Sequence, residues 1–394
     1  MRILHVIASL SPADGGPPEA VRQLVHAYRE AGAEVEVACL DQPGEPFLNG
    51  IRCPVHALGQ RILGRYAFSP RLWRWLHENA SRFDALIMNG IWTFPGIAVR
   101  AAARRAGKPY GVFVHGALDP WFNREYALKH LKKRCYWPVQ HAVLRAAKAV
   151  FFTSKTEQEL AQSSFRPSRW NGVVVPYGIV DPEGEGGDPA GQVEEFHRQL
   201  PALAGRRYLL FLGRIHEKKG CDLLLEAFAQ LSDAASEIDL VIAGPDQVGM
   251  QARLVSRAGE LGIAGRVHWP GMIRGNSKWG ALRACDAFIL PSHQENFGIS
   301  VVEALAVGRP VLISNQVNIW REIKDDGVGL VEDDTLEGAA RLLRRWFEMP
   351  AAERQAMAAH ARTCFKERYE MRRTAAVILR TFAAMPLGGQ PRGQ

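Results

Sequence analysis

The chain has 394 residues, of which 47% are hydrophobic and 23% are charged, and its formal net charge is +8. This composition is typical of a soluble globular protein, and the length exceeds what one ordinary core supports, so we expect two domains. The six cysteines are scattered without a Cys-x-x-Cys pair, which argues against a disulfide framework or a structural zinc site and suits a reducing cytoplasm. No window approaches ~20 unbroken apolar residues, so we expect no membrane span.

Short apolar segments alternate with amphipathic ones along the chain. The first, Met1–Ala8, has too short an apolar core for a signal peptide and is predicted to be a buried strand. The predicted strands are 2–8, 35–40, 84–89, 110–114, 149–153 and 172–176 in the first half, and 208–213, 239–243, 266–269, 287–291 and 310–314 in the second. The clearest helices between them are predicted at 19–31, 221–231, 250–261 and 336–348. This alternation predicts an α/β fold with two Rossmann-like units built on parallel sheets.

The domain boundary is predicted at residues 181–207, a linker whose first part is rich in Asp, Pro, Glu and Gly and has no apolar periodicity. The N-terminal domain is therefore predicted over 1–180 and the C-terminal domain over 208–364. A last helix, about 365–385, comes too late for the second sheet, and the tail 386–394 is predicted to be disordered. Ligands of open parallel sheets bind beyond the C-terminal ends of the strands, so we expect a cleft between the two domains.

The positive charge is concentrated in two stretches. Residues 61–76 contain four arginines among Tyr, Phe and Trp, and residues 126–156 contain seven Lys or Arg; neither stretch has an acid. Basic side chains beside aromatic ones suit the headgroup level of an anionic membrane surface. A solvated basic face over core aromatics is an equally good interpretation. Nucleic acid is disfavoured because no binding motif is present.

The loops that follow predicted strands hold the unusual residues. After the first strand, Gly15 and Gly16 let the backbone approach a ligand closely, although the Gly-x-Gly-x-x-Gly spacing of a dinucleotide site is absent. His115 follows strand 110–114 and precedes a glycine, so its ring can face a substrate. A packed polar residue is the commoner role for such a histidine.

A basic loop follows strand 208–213. Arg214 and Lys219 lie in a short glycine-bounded segment and can converge on one anion, the arginine as a bidentate fork and the lysine as a compact charge. The plainer interpretation is a solvated basic turn. The sequence has no Walker phosphate loop, which argues against an NTPase.

The most informative segment is 295–303, between a predicted strand and a predicted helix. A glycine turn and a helix N-terminus present free N–H groups and the positive end of the helix dipole, which suit an anion such as a diphosphate. Glu295 and Glu303 flank the turn and can accept hydrogen bonds from hydroxyl groups. N–H groups that can donate to a phosphate lie beside carboxylates that can accept from sugar hydroxyls. This combination predicts a nucleotide-sugar site rather than the acid/base pair of a glycosidase.

Taken together, these segments resemble the retaining GT-B glycosyltransferases of family 4. The resemblance rests on Gly213-Arg214…Lys219-Gly220 and on Pro291-Ser292…Glu295-Asn296-Phe297-Gly298…Glu303-Ala304, with Gly15-Gly16, His115-Gly116 and Val267–Gly271 in matching places. It covers nearly the whole chain and implies two Rossmann-like domains facing across a cleft, with the last helix packing back on the N-terminal domain. Asn296 departs from the pattern, since the family often has Gly there, and this alters contacts to the sugar hydroxyls but not the turn.

The resemblance also implies roles for single residues. Arg214 and Lys219 would hold the donor diphosphate and stabilise the leaving nucleotide, Glu295 would bind the donor sugar and Glu303 the ribose. His115 would face the anomeric carbon. The implied catalytic set is His115, Arg214, Lys219 and Glu295, and the implied donor-binding set is Gly15, Gly16, Ile273, Asn296, Phe297, Gly298, Ile299, Ser300 and Glu303.

The implied activity is retaining transfer of a hexose from a UDP- or GDP-sugar to a polysaccharide or lipid-linked saccharide. The usual proposal is a front-side displacement without an enzyme nucleophile, a metal or another cofactor. The expected location is the cytoplasm, at the inner face of the membrane. A nucleotide-sugar 2-epimerase of the same fold would use the same donor pocket, but it needs a histidine and carboxylates placed to remove the C2 proton, and no such set is evident. The presence of both cations and both glutamates argues against a catalytically silent scaffold.

Overall fold

In the computed structural model, the chain divides into two compact units, Met1–Val180 with Met371–Gln394, and Asp181–Glu370. The structure describes residues 1–59, 61–121, 123, 127–184, 187–231 and 237–383. Each unit is built on one parallel sheet, so the α/β fold class predicted from the alternating pattern is confirmed. The tail that was predicted to be disordered, 386–394, lies outside the described residues.

The first unit contains a seven-stranded sheet in the order β3-β2-β1-β4-β5-β6-β7. Its strands are β1 Arg2–Ile7, β2 Glu34–Cys39, β3 Val55–Ala57, β4 Ala85–Asn89, β5 Tyr110–Phe113, β6 Ala149–Phe152 and β7 Gly172–Val174. Its helices are α1 Gly16–Glu30, α2 Pro70–Asn79, α3 Phe94–Ala106, α4 Ala127–Ala146 and α5 Lys155–Ser164, joined late in the chain by α14 Met371–Ala383. The three strands β4, β5 and β6 are buried at every residue, as expected for a parallel sheet covered on both faces.

Helix α14 packs within the first unit although it follows the second in sequence. The Met371 N–H donates to the Ile179 carbonyl at 3.0 Å, and the Thr374 hydroxyl donates to the Pro176 carbonyl at 2.8 Å. Arg372 forms an ion pair with Glu30 on α1. The single helix predicted at about 365–385 is therefore two elements, because the π-helical turn Phe365–Tyr369 belongs to the second unit.

The second unit contains a six-stranded sheet in the order β10-β9-β8-β11-β12-β13. Its strands are β8 Arg207–Leu212, β9 Ile238–Ala243, β10 Val267–Gly271, β11 Ala287–Leu290, β12 Val311–Ser314 and β13 Gly329–Glu332. Its helices are α6 Pro189–Gln199, α7 Cys221–Ala229, α8 Gln251–Glu260, α9 Gly275–Ala284, α10 Ile299–Ala306, α11 Trp320–Asp325, α12 Leu336–Glu348 and α13 Ala351–Cys364.

The segment predicted as a linker, 181–207, contains helix α6. Pro189 opens the helix, and the Asp188 carboxylate accepts from the Ala190 N–H at 3.1 Å. Phe196 is fully buried, and α6 packs against α9, where a Cβ at Gly280 would overlap the Gln192 carbonyl. One buried aromatic and one glycine contact are too few to produce a visible apolar period, so the sequence pattern missed the helix.

A glycine allows the ends of two strands in the second unit to lie close together. Gly244, at the end of β9, has φ +148°, and a Cβ there would overlap the Gly213 carbonyl beyond β8. We expect Gly244→Ala to lower the free energy of unfolding by roughly 2 kcal/mol or more, since the two strand ends must separate. Gly262→Ala, at φ +71° with no atom within 4 Å, adds backbone strain without a clash and serves as the control. Urea titration measures both, and equal losses would contradict the close-approach explanation.

Candidate active site

Two loops of the second unit pack together because they follow neighbouring strands. Strands β8 and β11 are paired in parallel, so the loops that leave their C-terminal ends meet at one edge of the sheet. The His293 N–H donates to the Lys218 carbonyl at 2.8 Å. Gly220 has φ +65°, and a Cβ there would overlap the Pro291 carbonyl. The loop carrying Lys219 is thereby held against the loop carrying Glu295.

Lys219 and Glu295 form an ion pair at this junction. Only 13% of the lysine side chain and 21% of the glutamate side chain are exposed. Burial raises the pKa of Glu295, but the charge of Lys219 and its hydrogen bond outweigh burial and lower the pKa overall. Glu295 is therefore a carboxylate at neutral pH, and it lies against the Lys219 side chain at the sheet edge.

Glu295 is also fixed through its backbone. Its N–H donates to the Gln316 carbonyl, and its carbonyl accepts from the Asn318 N–H, each at 3.0 Å, which ties it to the loop after β12. Three residues on, Gly298 adopts φ +82° and caps helix α10. A Cβ at Gly298 would lie 3.0 Å from a Val301 methyl carbon, so the turn requires glycine.

The predicted donor-binding residues after Glu295 lie at the start of α10. Asn296 is half-buried, while Phe297 is buried and packs edge-on against Tyr369, with ring centroids 5.9 Å apart. Ile299 and Ser300 are the first two residues of the helix. The N–H groups at a helix start have no intrahelical acceptor and carry the positive end of the dipole, so this backbone can receive an anion.

Glu303 lies on the same helix and pairs with a lysine that the sequence pattern did not single out. Its carboxylate accepts from the Lys278 ammonium on α9 at 2.7 Å, and the carboxylate side chain is 13% exposed. Ile273, predicted to meet the base, is buried in the short loop between β10 and α9. Lys278 was missed because it belongs to a neighbouring strand–helix unit and no motif spacing connects it with Glu303.

Arg214 is placed differently from Lys219. It is exposed, and its guanidinium donates to the Gln247 side chain at 3.2 Å, in the loop after β9. Asp246 organises that loop by accepting from the Gln251 and Met250 N–H groups, each at 3.0 Å. The backbone donors, Gln251 first, lower the pKa of Asp246. The structure thus brings Lys219 and Glu295 into contact. Arg214 follows the same strand as Lys219, β8, but its partner is the neutral side chain of Gln247.

In the first unit, His115 lies just beyond β5 with φ +53°. Its ring packs against those of Phe113 and Tyr177, with centroids 5.4 and 5.6 Å away, and these two rings also contact each other. Both ring nitrogens are buried and have no hydrogen-bond partner among the described residues. Burial, and after it the proximity of His5, lowers the pKa of His115 to about 3. The imidazole is therefore neutral at physiological pH.

Glu157 holds the His115 loop in place, and the sequence analysis missed it. It is buried, and its carboxylate accepts from the Gly116 N–H and the Thr153 N–H, each at 2.6 Å. The Ser154 hydroxyl accepts from the Glu157 N–H at 3.0 Å and caps α5. A signal was present, since Ser154 followed three residues later by Glu157 is a capping pattern directly after a strand.

The glycine pair lies at the start of the first helix. Gly15 has φ +85° and Gly16 is the first residue of α1. The Asp41 carboxylate accepts from the Leu10 N–H at 2.7 Å and fixes the loop that leads there. The helix start is therefore presented at the C-terminal edge of the first sheet.

The two basic-aromatic stretches divide between core and surface. Leu72 and Leu76 of the first stretch are buried, and Trp137 of the second stretch packs in an aromatic cluster with Trp92 and Phe165. Other apolar side chains of the stretches are exposed, by 69% at Leu63 and 60% at Leu131. In the described part of the chain, no helix is both long and apolar enough to cross a membrane. Within that part, no three His, Cys, Asp or Glu side chains are grouped so as to hold a metal ion.

Family models match both halves of the chain. Residues 15–178 match the glycosyl transferase 4-like domain, and residues 192–363 match glycosyl transferases group 1. With the two parallel-sheet units and the paired loops described above, this defines a glycosyltransferase of the GT-B fold. The chain belongs to the family 4-like glycosyltransferases, which confirms the resemblance drawn from the motifs.

Several curated relatives are similar over most of their length. The 2-deoxystreptamine glucosyltransferase of Streptomyces kanamyceticus is 29% identical over 74% of this chain and 79% of its own. The GDP-mannose-dependent alpha-(1-6)-phosphatidylinositol dimannoside mannosyltransferase of Mycobacterium tuberculosis is 27% identical over 98% and 97%. The GDP-mannose:cellobiosyl-diphosphopolyprenol alpha-mannosyltransferase of Xanthomonas oryzae is 25% identical over 96% and 91%. These are all transferases, which does not favour the epimerase alternative.

Solved structures share the fold. The Anabaena protein HepE in complex with UDP matches 98% of this chain and all of its own, with a TM-score of 0.78 and 19% identity. WaaG, a glycosyltransferase involved in lipopolysaccharide biosynthesis, matches 98% of this chain with a TM-score of 0.69 and 17% identity. Two Rossmann-like units in the GT-B arrangement of elements, as predicted, are therefore confirmed.

The buried neutral ring of His115 makes stability depend on pH. The unfolded chain binds a proton near pH 6.5, whereas the folded chain does not until pH is about 3, so stability is lost as pH falls below about 6.5. Between about pH 7.5 and pH 5.5 this one residue should cost about 1.4 kcal/mol of unfolding free energy. Urea titrations at both pH values measure this loss of unfolding free energy. The loss should be smaller by this amount in His115→Asn than in the unchanged protein. Identical losses in the two proteins would mean that His115 is protonated in the folded state.

Proposed function

We propose that the protein is a retaining hexosyltransferase that takes its sugar from a UDP- or GDP-sugar. The observation that carries this proposal is the arrangement at the edge of the second sheet, where Lys219 pairs with Glu295 beside the start of α10. A fixed cation, free N–H groups and a carboxylate within one loop cluster match the charges and hydroxyls of a sugar diphosphate.

Lys219 and Arg214 would bind the diphosphate. Lys219 already lies against the loop that leads to the helix start, and Arg214 can leave its neutral partner Gln247 at little electrostatic cost. The N–H groups of Gly298, Ile299 and Ser300 would add donors to the same phosphate oxygens. These groups would stabilise the negative charge that develops as the bond between sugar and phosphate breaks, and such electrostatic stabilisation commonly contributes more to catalysis than any other effect.

The two glutamates would bind hydroxyl groups at opposite ends of the donor. Glu295 would accept from the transferred sugar, while Glu303 would accept from the ribose and the backbone near Ile273 would meet the base. Each carboxylate has a lysine partner, Lys219 for Glu295 and Lys278 for Glu303, which holds it in place. Asn296 and Phe297 would shape the sugar pocket between them.

In the first unit, His115 would offer its neutral ring to the transferred sugar near the anomeric carbon. Its unpartnered nitrogens can donate to one oxygen and accept from another. Gly15 and Gly16 would allow the diphosphate and the acceptor to approach the start of α1 closely.

The chemistry would be a front-side displacement. The bond from the anomeric carbon to the phosphate oxygen would break as the acceptor oxygen bonds to the same face of that carbon. The acceptor proton would pass to the departing phosphate oxygen. Lys219 and Arg214 would supply the positive charge that a divalent metal supplies in other transferases, so activity should be independent of metal.

The acceptor would be a polysaccharide or a lipid-linked saccharide, reached from the cytoplasmic face of a membrane. Two relatives named for GDP-mannose act, by their names, on a phosphatidylinositol dimannoside and on a cellobiosyl-diphosphopolyprenol. The exposed apolar side chains among the basic residues of 61–76 and 126–156 would dock on an anionic lipid surface.

The proposed roles of Glu303 and Lys219 predict different effects on donor binding and on turnover. Glu303→Ala should weaken donor binding roughly tenfold, because it removes charge-assisted hydrogen bonds to the ribose. Lys219→Ala should lower kcat by about 10² to 10³ through loss of transition-state charge stabilisation, and Lys219→Arg should restore part of it. UDP- and GDP-sugar binding by calorimetry and donor hydrolysis rates measure the two effects.

Glu348→Ala, at an exposed acid on α12, is the matched control for charge and should change neither quantity. If Glu303→Ala bound donor normally and lost only turnover, the ribose assignment would be wrong. Thermal melting of Lys219→Ala checks for the destabilisation expected from leaving Glu295 without its cation.

The membrane assignment predicts a role for the exposed leucines. Changing Leu63 and Leu131 to Gln should reduce binding to vesicles that contain phosphatidylglycerol by roughly tenfold, because two apolar anchors are lost. Val255→Gln, at an exposed apolar position of α8 outside the two stretches, should leave vesicle binding unchanged. Co-sedimentation measures both, and binding that does not depend on anionic lipid would overturn the assignment.

A further inference from the structure

A large open pocket lies in the first unit, apart from the loops described above. Its volume is about 950 Å³, and it is bounded by one side of α4 from His130 to Ala146, by the end of α5 with the residues just after it, and by one side chain of α3. Four arginines and two histidines line it, and no Asp or Glu does. These six residues are Arg100, His130, Arg134, His141, Arg145 and Arg166.

The four arginines of this pocket have no anionic partners in the described part of the chain. Among the described residues, none of them forms an ion pair or a side-chain hydrogen bond, whereas arginines elsewhere in the chain commonly do. Arg206 pairs with Asp239, for example, and Arg368 pairs with Asp326. Four like charges around one cavity repel each other, and an anion in the cavity would relieve that repulsion.

Favourable interaction with a helix C-terminus explains the positions of only some of these arginines. Arg145 lies in the last turn of α4, where a cation is favourable without any ligand. Arg100 lies in the middle of α3, Arg134 in the first half of α4, and Arg166 beyond the end of α5. Arg166 directly follows the C-cap of α5 and so also lies near a helix C-terminus, but Arg100 and Arg134 gain nothing from one.

Packed aromatic rings and a hydrogen bond fix the walls of the pocket. A fixed wall favours one bound ligand over diffuse counterions. Trp137 and Phe165 are buried and stacked, with ring centroids 4.9 Å apart. The His141 ring is buried and accepts from the Arg169 N–H at 3.3 Å. His130 has a buried ring nitrogen, Nδ1, without a hydrogen-bond partner among the described residues. Such a site combines cations, a free imidazole nitrogen and a fixed apolar floor.

The positive surface continues toward the edge of the sheet opposite to His115. Two smaller cavities share Arg100 with the pocket and add four further cations, which are Arg104, Arg105, Lys108 and Lys148. Lys108 lies two residues before β5 and Lys148 lies directly before β6, so both lie at the N-terminal ends of these strands. His115 follows the C-terminal end of β5, roughly 13 Å along a four-residue strand.

We propose that this pocket binds a phosphate-bearing anion at a second site, separate from the donor loops. Guanidinium groups bind phosphate oxygens in bidentate fashion, and several converging ones favour a ligand with two or more negative charges, such as a diphosphate or a phosphomonoester. A phospholipid headgroup and a soluble phosphate compound both carry this chemistry. The proposal does not depend on the sugar donor or on the reaction.

The test measures binding of inorganic pyrophosphate to the full chain carrying Lys219→Gln, which under the proposed function weakens phosphate binding at the donor loops. In this background, Arg134→Gln with Arg145→Gln should weaken pyrophosphate binding roughly tenfold or more, since two charge-assisted contacts are lost. Arg344→Gln with Arg380→Gln removes the same charge from exposed positions outside the pocket and should change binding less than about twofold. Arg134→Lys with Arg145→Lys keeps the charge and should retain an intermediate affinity.

A second arm identifies the source of the phosphate. Co-sedimentation with phosphatidylcholine vesicles that contain phosphatidic acid should be lost in the Arg134/Arg145 double variant, and kept in the control, if the ligand is a lipid headgroup. Pocket-dependent pyrophosphate binding without vesicle binding would assign a soluble phosphate compound. Equal losses in the double variant and the control, or no pyrophosphate binding in the Lys219→Gln protein, would overturn the proposal. Circular dichroism confirms folding, and the single variant Arg134→Gln, at an exposed position, replaces the double variant if that does not fold.

Discussion

The ion pair between Lys219 and Glu295 depends on strand order more than on any local feature. Seventy-six positions separate the two residues, yet β8 and β11 are neighbours in the sheet, so both residues leave the same edge. Gly220 and Gly298 then allow the backbones to approach and turn without a clash. A lysine and a glutamate buried to this extent would be costly apart, because each would lose its hydration without a partner. The pair therefore links the sheet topology to the charge that the loops can offer a ligand.

The two carboxylates at this edge of the sheet are held in place by different contacts. Glu295 is held by hydrogen bonds of its own backbone N–H and carbonyl as well as by Lys219, whereas Glu303 is held by its position on α10 and by Lys278. In the first unit, His115 is held by stacking, and its loop is held by the carboxylate of Glu157. Positioning thus comes from residues that a motif search does not inspect.

Much of the fold could be predicted from the sequence, because buried parallel strands are short apolar runs with clear ends. Helix Leu336–Glu348 was predicted with the observed bounds, since its apolar residues recur regularly over thirteen positions. The edge strands Val55–Ala57 and Gly329–Glu332 are short and only partly buried and were missed, whereas the equally short edge strand Gly172–Val174 was predicted from its run of valines. Lys278 and Glu157 could not be predicted as site residues, because their partners come from other strand–helix units and only the folded sheet brings them together. The roles of Glu295, Glu303 and Arg214 remain predictions, since spacing and contact alone do not reveal what a carboxylate or guanidinium binds.

Helix α14 has a consequence for how the chain is made. The first unit takes its last helix from residues 371–383, so the whole of 181–370 is synthesised between two parts of one core. On the ribosome, the second unit can complete its sheet as soon as it emerges, whereas the first must wait with Ile179 and Pro176 lacking the partners that Met371 and Thr374 later supply. The unit that begins translation is therefore the last to finish folding, and a nascent chain stalled before residue 371 would expose the surface of α1 that α14 covers.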